Sequence, residues 1–364
     1  VFLSLKELRK VYPNGVLAVR DMDLEISRGE FIVFLGPSGC GKTTTLRMIA
    51  GLEAVSAGTI VLDGRDITNL APRDRNISMI FQSYAVWPHM TVAENIGYPL
   101  KLRRQKRAAI AEKVERVAEV CGISEYLGRY PAQLSGGQRQ RVAVARALAV
   151  DSKLFLMDEP LSNLDAKLRV SVRTFLKEIH RESGATTIFV THDQSEAMAL
   201  ADRIVVMNGG GVEQVGTTRE IYNRCGSLFT AQFMGTPPAN VGTAKLEVRD
   251  GRLTAVADGA AGPVFLDLCE AARGTELSAY AGKTVTLAIR PEDIGVVPPS
   301  GANETIVGIV EPQGAYTIIV ADVLERAWKI MLDGDADLVP GQRVSLAIDA
   351  SKAMLFDPES GKRL

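Results

Sequence analysis

The sequence predicts an α/β protein built on a mainly parallel sheet, followed by a smaller all-β unit. Three observations predict it. Between residues 1 and 235, continuous apolar runs alternate with helical patterns. A loop rich in glycine, Gly36–Thr43, joins the first buried run to the first helix. Beyond Thr236-Pro237-Pro238 come short β-like runs punctuated by Gly and Pro.

The elements follow from that pattern. Phe31–Leu35, Ile77–Phe81, Leu154–Met157, Thr187–Thr191 and Ile204–Met207 are apolar and mostly continuous, as in strands of a sheet covered on both faces. Helical patterns occupy Lys42–Ala50, Lys106–Cys121, Gln138–Val150, Ala166–Ser183 and Ser195–Ala201. In the second part, Lys245–Val248, Val264–Leu268, Val285–Arg290, Ile306–Glu311, Tyr316–Leu324, Trp328–Leu332 and Val344–Ile348 read as strands of a sandwich or barrel. One internal echo, Gly282–Ile289 against Gly341–Ile348, suggests two related barrel units.

At 364 residues the chain exceeds one ordinary core, so two domains are expected, 1–235 and 236–364. No apolar run approaches the roughly 18–20 residues that cross a bilayer. The best helical candidate, Val142–Val150, is interrupted by Arg146, and no signal peptide is evident. Cys40, Cys121, Cys225 and Cys269 are far apart and form no C-x-x-C, which fits reduced cytoplasmic thiols better than disulfides or zinc. Residues 1–235 hold 30 Lys+Arg against 25 Asp+Glu, and residues 236–364 hold 12 against 18. That acidic second part argues against a nucleic-acid surface there.

Several motifs carry chemistry. Gly36-Pro37-Ser38-Gly39-Cys40-Gly41-Lys42-Thr43, followed by Thr44, fits G-x-x-x-x-G-K-[ST] between a strand and a helix. Its backbone N–H groups can wrap phosphates, Lys42 can reach the β- and γ-phosphates, and the Thr43 hydroxyl can hold Mg²⁺. Leu154–Met157 leads into Asp158 and Glu159. Asp158 is the candidate Mg²⁺ holder and Glu159 the candidate general base toward water. Gln82, after Ile77–Phe81, can ligate Mg²⁺ and touch that water, although taken alone it reads as a surface glutamine. His192, after Thr187–Thr191, reads alone as structural, but beside the other motifs it is a candidate to contact the γ-phosphate and orient the water. Tyr12 is a candidate adenine-stacking ring. Cys40 lies beside Lys42 and a helix start, features that lower a thiol pKa. Leu134-Ser135-Gly136-Gly137-Gln138 opens a second helix whose free N–H groups attract anions.

Together these residues resemble an ATP-binding-cassette (ABC) ATPase. Tyr12, Gly36–Thr43, Gln82, Leu134–Gln138, Asp158 with Glu159, the turn Ser162-Asn163-Leu164-Asp165 and His192 match its motifs in order. The resemblance implies a P-loop NTPase fold over 1–235 with a helical subdomain at about 83–150. It also implies a head-to-tail homodimer, in which Leu134–Gln138 of one copy meets the ATP held by the other copy's Lys42. Residues 236–364, with Ile289-Arg290-Pro291-Glu292-Asp293, are similar to the OB-like, TOBE-type regulatory domain of carbohydrate-importer ATPases, the maltose importer's among them. The implied cofactors are ATP and Mg²⁺. The implied partners are a second copy, two integral membrane permease subunits, an extracytoplasmic solute-binding protein and a regulator at the C-terminal domain, with no nucleic acid. The implied location is the cytoplasmic face of the inner membrane.

Alternatives stay open at this level. Val86-Trp87 departs from the Leu-Tyr common among sugar-type members, and Trp there also occurs in iron, polyamine and phosphonate importers. A soluble cassette ATPase acting on nucleic acid usually carries two cassettes or long coiled coils, which this sequence lacks. A small-molecule kinase or GTPase leaves Leu134–Gln138 and Ser162–Asp165 without a purpose.

Overall fold

The structure is a computed structural model that describes residues 1–249, 252–257, 264–268, 279–324 and 326–364. Cys269 lies outside the described residues. The chain forms two compact units, Val1–Thr218 and Arg219–Leu364. The division falls upstream of the expected 235/236 position.

In the first unit the strands are β1 (Leu3–Val11), β2 (Leu17–Ile26), β3 (Phe31–Leu35), β4 (Ala57–Leu62), β5 (Arg65–Asp66), β6 (Ile77–Ile80), β7 (Leu154–Asp158), β8 (Thr186–Thr191), β9 (Arg203–Asn208) and β10 (Gly211–Gly216). The helices are α1 (Lys42–Ala50), α2 (Val92–Leu102), α3 (Arg107–Val120), α4 (Gly136–Leu148), α5 (Ala166–Ser183) and α6 (Gln194–Leu200). Strands order as β10-β9-β3-β8-β7-β6, and β3, β6, β7, β8 and β9 run parallel. Every residue of β3 is buried, as its continuous apolar run requires. Arg75 closes the far end of α1, donating to the carbonyls of Met48 (2.7 Å), Ile49 (2.9 Å), Leu70 (2.9 Å) and Thr68 (2.9 Å).

Beside this sheet stands a four-stranded one, β2-β1-β4-β5, antiparallel throughout. The sequence reading did not anticipate it. Its β2 strand alternates, burying Met22, Leu24 and Ile26 while Asp21, Asp23 and Glu25 face out. One wet face gives no continuous apolar run to notice. Helix α4 also starts earlier than expected, at Gly136, because Ser135 caps it. The Ser135 hydroxyl accepts from Gln138 N (3.3 Å) and the Gln138 side chain accepts from Ser135 N (2.8 Å).

The second unit carries two short helices, α7 (Thr218–Asn223, which begins at the division) and α8 (Leu228–Phe233), ahead of its strands. These are β11 (Asn240–Arg249), β12 (Arg252–Ala257), β13 (Val264–Asp267), β14 (Thr284–Ile289), β15 (Ile294–Val297), β16 (Glu304–Pro312), β17 (Tyr316–Val323), β18 (Arg326–Asp333), β19 (Arg343–Ile348) and β20 (Met354–Phe356). They pair as two five-stranded sheets, β13-β12-β11-β14-β20 and β15-β19-β16-β17-β18, around a core that includes Trp328, Ile330, Leu246 and Leu287. The two echoed segments become β14 and β19. Each starts after a left-handed glycine, Gly282 (φ 82°) or Gly341 (φ 87°), and each leads through a 3-10 turn into a return strand. The return strands are exchanged: β15 pairs with β19, and β20 pairs with β14.

Arg290 explains why residues 219–235 join this unit. It is 3% exposed, and its guanidinium donates to the carbonyls of Tyr222 (2.8 Å), Ala231 (3.4 Å) and Met234. One cation thereby closes the carbonyl ends of both short helices. The Tyr222 hydroxyl in turn donates to Glu292.

Candidate active site

Four loops of the first unit leave the carboxyl ends of neighbouring strands, where ligands bind in open α/β sheets. They follow β3, β8, β7 and β6 and carry Gly36–Thr43, His192, Asp158–Glu159 and Gln82 respectively.

The loop after β3 is shaped by close approach. Gly39 and Gly41 hold φ of 81° and 97°, and a Cβ on Gly36 would sit 2.2 Å from the Met207 carbonyl oxygen. Lys42 is 5% exposed and donates from Nζ to the carbonyls of Gly36 (2.7 Å) and Pro37 (2.9 Å). The Thr43 hydroxyl donates to Asp158 Oδ1 at 2.8 Å. The Asp158 carboxyl is held above its ordinary pKa, chiefly by burial and also by the neighbouring Glu159 charge, against the lowering effects of the Thr43 hydrogen bond, Arg47 and Lys42. Tyr12 is half-buried with its hydroxyl 3.4 Å from that of Thr44, which puts the ring at the loop's rim. Cys40 is 3% exposed, with Sγ 3.7 Å from Lys42 Nζ.

Glu159 and His192 meet across the sheet edge, Oε2 to Nδ1, at 3.3 Å. Glu159 adopts a left-handed backbone, φ 42°. Its N–H bonds to the Val190 carbonyl (3.1 Å), and its own carbonyl accepts from the Ser162 hydroxyl (2.9 Å). Gln82 is drawn into the same corner. Its amide donates to the Ser162 hydroxyl (3.3 Å), and Asn163 donates to the Gln82 carbonyl (3.0 Å). The structure therefore joins Thr43 to Asp158 directly and joins Gln82 to the Ser162–Asn163 turn.

The Leu134–Gln138 turn contributes to none of this. Among the described residues no hydrogen bond or ion pair links it to Gly36–Thr43. Its Gly137 packs under Leu168, whose Cδ1 would lie 2.6 Å from an added Cβ.

Sequence reasoning missed three residues here. Arg146, read only as a break in an apolar run, is 9% exposed. It donates to the carbonyls of Ala85 (2.6 Å) and Tyr84 (3.1 Å) and lies 4.7 Å from the Trp87 ring. It fixes the strained segment after Gln82, where Tyr84 and Ala85 have φ of 63° and 47°. A cleft of about 360 Å³ opens there, walled by Trp87, Ala85, Phe81 and Pro99. Arg169 and Asp193 are the others. The Asp193 carboxylate caps α6 and takes the N–H groups of Ser195 (2.8 Å) and Glu196 (3.2 Å).

Thr43 and Asp158 supply hard oxygen donors, the kind Mg²⁺ takes together with phosphate oxygens and water. Among the described residues no cluster of three or more His, Cys, Asp and Glu could hold a metal alone. The donor set thus fits an ion shared with a bound nucleotide.

Comparison with known proteins places this geometry. The "ABC transporter" family model matches residues 19–162, and the "TOBE domain" model matches residues 287–356. Over its full length the chain is 45% identical to the sn-glycerol-3-phosphate import ATP-binding protein UgpC 2 of Agrobacterium fabrum, 94% of which is covered. The chain belongs to the ABC transporter family. A second ABC relative, the multiple sugar-binding transport ATP-binding protein MsmK of Streptococcus mutans, is 44% identical over 99% of this chain and 98% of its own. A solved dimeric ATP-binding cassette bound to ADP and phosphate superposes with a TM-score of 0.53 at 32% identity, covering 60% of this chain and 99% of that one. The ABC ATPase fold with a C-terminal TOBE domain, expected from the sequence, therefore holds. The ABC match spans the phosphate loop, Gln82, Leu134–Gln138 and Asp158–Glu159, and the TOBE match includes Arg290.

Proposed function

We propose that this chain is the ATP-hydrolysing subunit of an importer whose cargo is a sugar, an oligosaccharide, a polyol or a glycerol phosphate. The relatives' names support the sugar, oligosaccharide and glycerol phosphate part of that range. Residues 1–218 carry the nucleotide-binding domain, with its helical subdomain at about 83–150, and residues 219–364 carry the regulatory domain with the two short helices that precede its strands. The chain works as a homodimer on two membrane permease subunits, at the cytoplasmic face of the membrane, downstream of an extracytoplasmic solute-binding protein. No helix among the described residues is long and apolar enough to span a bilayer itself.

The observation that carries the reading is the convergence of a phosphate loop with two paired contacts, Thr43–Asp158 and Glu159–His192. Loop N–H groups from Gly36 to Thr44 wrap the ATP phosphates, and Tyr12 stacks on the adenine. Lys42 exchanges its two loop carbonyls for phosphate oxygens. Thr43, Asp158 and Gln82 would hold Mg²⁺, which supplies neutralising charge to the phosphates. Glu159 takes a proton from water as that water attacks the γ-phosphorus, and the bond to the ADP oxygen breaks. His192 holds the γ-phosphate and keeps Glu159 aimed. Leu134–Gln138 of the second copy, with Ser135 and Gly137 foremost, closes over the same γ-phosphate, and Ser162–Asp165 lines the joint.

Glu159→Gln tests the assignment. Hydrolysis is expected to fall about 10²–10⁴-fold with ATP affinity retained, as measured by phosphate release and equilibrium nucleotide binding. Unchanged turnover would remove Glu159 from the base role.

A further inference from the structure

Arg169 stands at the start of α5 and reaches two loops at once. Its Nη2 donates to the Leu164 carbonyl (3.3 Å), inside the Ser162–Asp165 turn. Its Nη1 donates to Asp193 Oδ2 (3.2 Å), the residue next to His192. Its Nε is buried without a hydrogen-bond partner among the described residues and lies 3.7 Å from Glu196 Oε1.

The far side of this link is rigid. The Thr191 hydroxyl donates to Glu196 Oε2 (2.6 Å) and accepts from Asp193 N (2.9 Å). His192 is therefore held between two residues locked to a buried carboxylate and a helix cap. The near side is a turn whose Ser162 and Asn163 already hold Gln82. The guanidinium is the described side-chain bridge between them. Its contacts are long for charge-assisted bonds, so a small shift of the turn can tighten or release them.

We propose that Arg169 is a positioning residue that fixes His192 against Glu159 according to the position of the Ser162–Asp165 turn. It touches no reacting atom. It acts through His192, and a second copy pressing on the turn would set how firmly His192 is held. This rests on the proposed roles of His192 and of that turn.

The test is a double-mutant cycle in the purified full chain, read by single-turnover and steady-state ATP hydrolysis. Arg169→Ala is expected to lower kcat about tenfold and to move KM for ATP less than about twofold. In a His192→Ala background the same substitution is expected to change the residual rate less than about twofold, because the residue it acts through is gone. Arg169→Lys is expected to stay near the alanine value, since a lysine carries all its donors on one nitrogen and lacks the planar fork that reaches Asp193 through Nη1 and the Leu164 carbonyl through Nη2. Asp193→Asn keeps the helix cap while removing the charged partner. It is expected to repeat the kcat loss, and it carries the comparison if Arg169→Ala does not fold. Losses that multiply in the double variant, a KM rise at constant kcat, or full rescue by lysine would overturn the proposal. Multiplying losses beside an inactive His192→Ala would leave the His192 assignment standing. Normal turnover by His192→Ala would overturn both.

Discussion

Glu159 pays a conformational cost to sit where it does. A non-glycine residue in the left-handed region costs about 1–2 kcal/mol, and Glu159 is held there by bonds on both sides of its peptide. Glu159→Gly is therefore expected to be more stable than Glu159→Ala by about 1 kcal/mol while hydrolysing no better, a difference that thermal unfolding of the two variants measures. His180 gives a pH effect. It is buried, its Nδ1 lies 3.0 Å from the Thr187 hydroxyl and its ring packs edge-on to Phe31 at 5.0 Å. Burial pushes its pKa below the ordinary 6.5. The unfolded chain then binds more protons than the folded one, so the His180 contribution is complete above pH 6.5 and is lost as pH falls through the depressed folded value. His180→Gln is expected to flatten that part of the stability–pH curve. Cys40 is less open than its position suggests. At 3% exposure it is expected to react slowly with a bulky maleimide in the folded protein, and bound ATP is expected to slow it further. Equal labelling rates with and without ATP would contradict that placement.

Among the elements, α4 shows most clearly how local chemistry meets function. Ser135 caps the helix, and in the proposed dimer the same residue would meet the other copy's nucleotide. Ser135→Arg is expected to abolish turnover while nucleotide binding by the same chain survives, because this turn has no described link to its own phosphate loop. A collapse of affinity in a binding titration would refute the two-copy site. The elements also differ in how far the sequence exposed them. Lys42–Ala50 and Ala166–Ser183 match their helices end for end, since apolar spacing marks both and their ends are set by Gly41 and Gly51 in the first and by Asp165 and Gly184 in the second. Helix α2 was missed although Thr91 and Glu94 form a capping box, because Gly97 and Pro99 interrupt its pattern. The phosphate loop, Asp158 and Glu159 were legible because each motif is contiguous. Arg169 and Arg146 were not. Their partners lie 24 and 61 residues away, and a cation serving distant carbonyls and carboxylates leaves no periodic trace.

For the whole molecule, the reading requires two copies to complete each ATP site. Glu159→Gln is expected to elute as a dimer when ATP and Mg²⁺ are present and as a smaller species without them, checked by size-exclusion with light scattering. An ATPase rate stimulated by RNA or DNA would count against the importer. Stimulation by solute and binding protein in the reconstituted complex would name the cargo.

The exchanged return strands of the second unit bear on how that unit is made. β15 waits for β19, and β14 waits for β20, so neither sheet can be completed from residues 240–340 alone. During synthesis, a long stretch of half-paired strands must persist until residues 343–356 arrive. Such distant pairings are slow to form and leave sheet edges open to other chains. The first unit has all its strands by residue 216 and faces no such delay. Translation thus completes the strands of the first unit well before those of the second, and in the interval the second unit's half-paired sheets stay open to other chains.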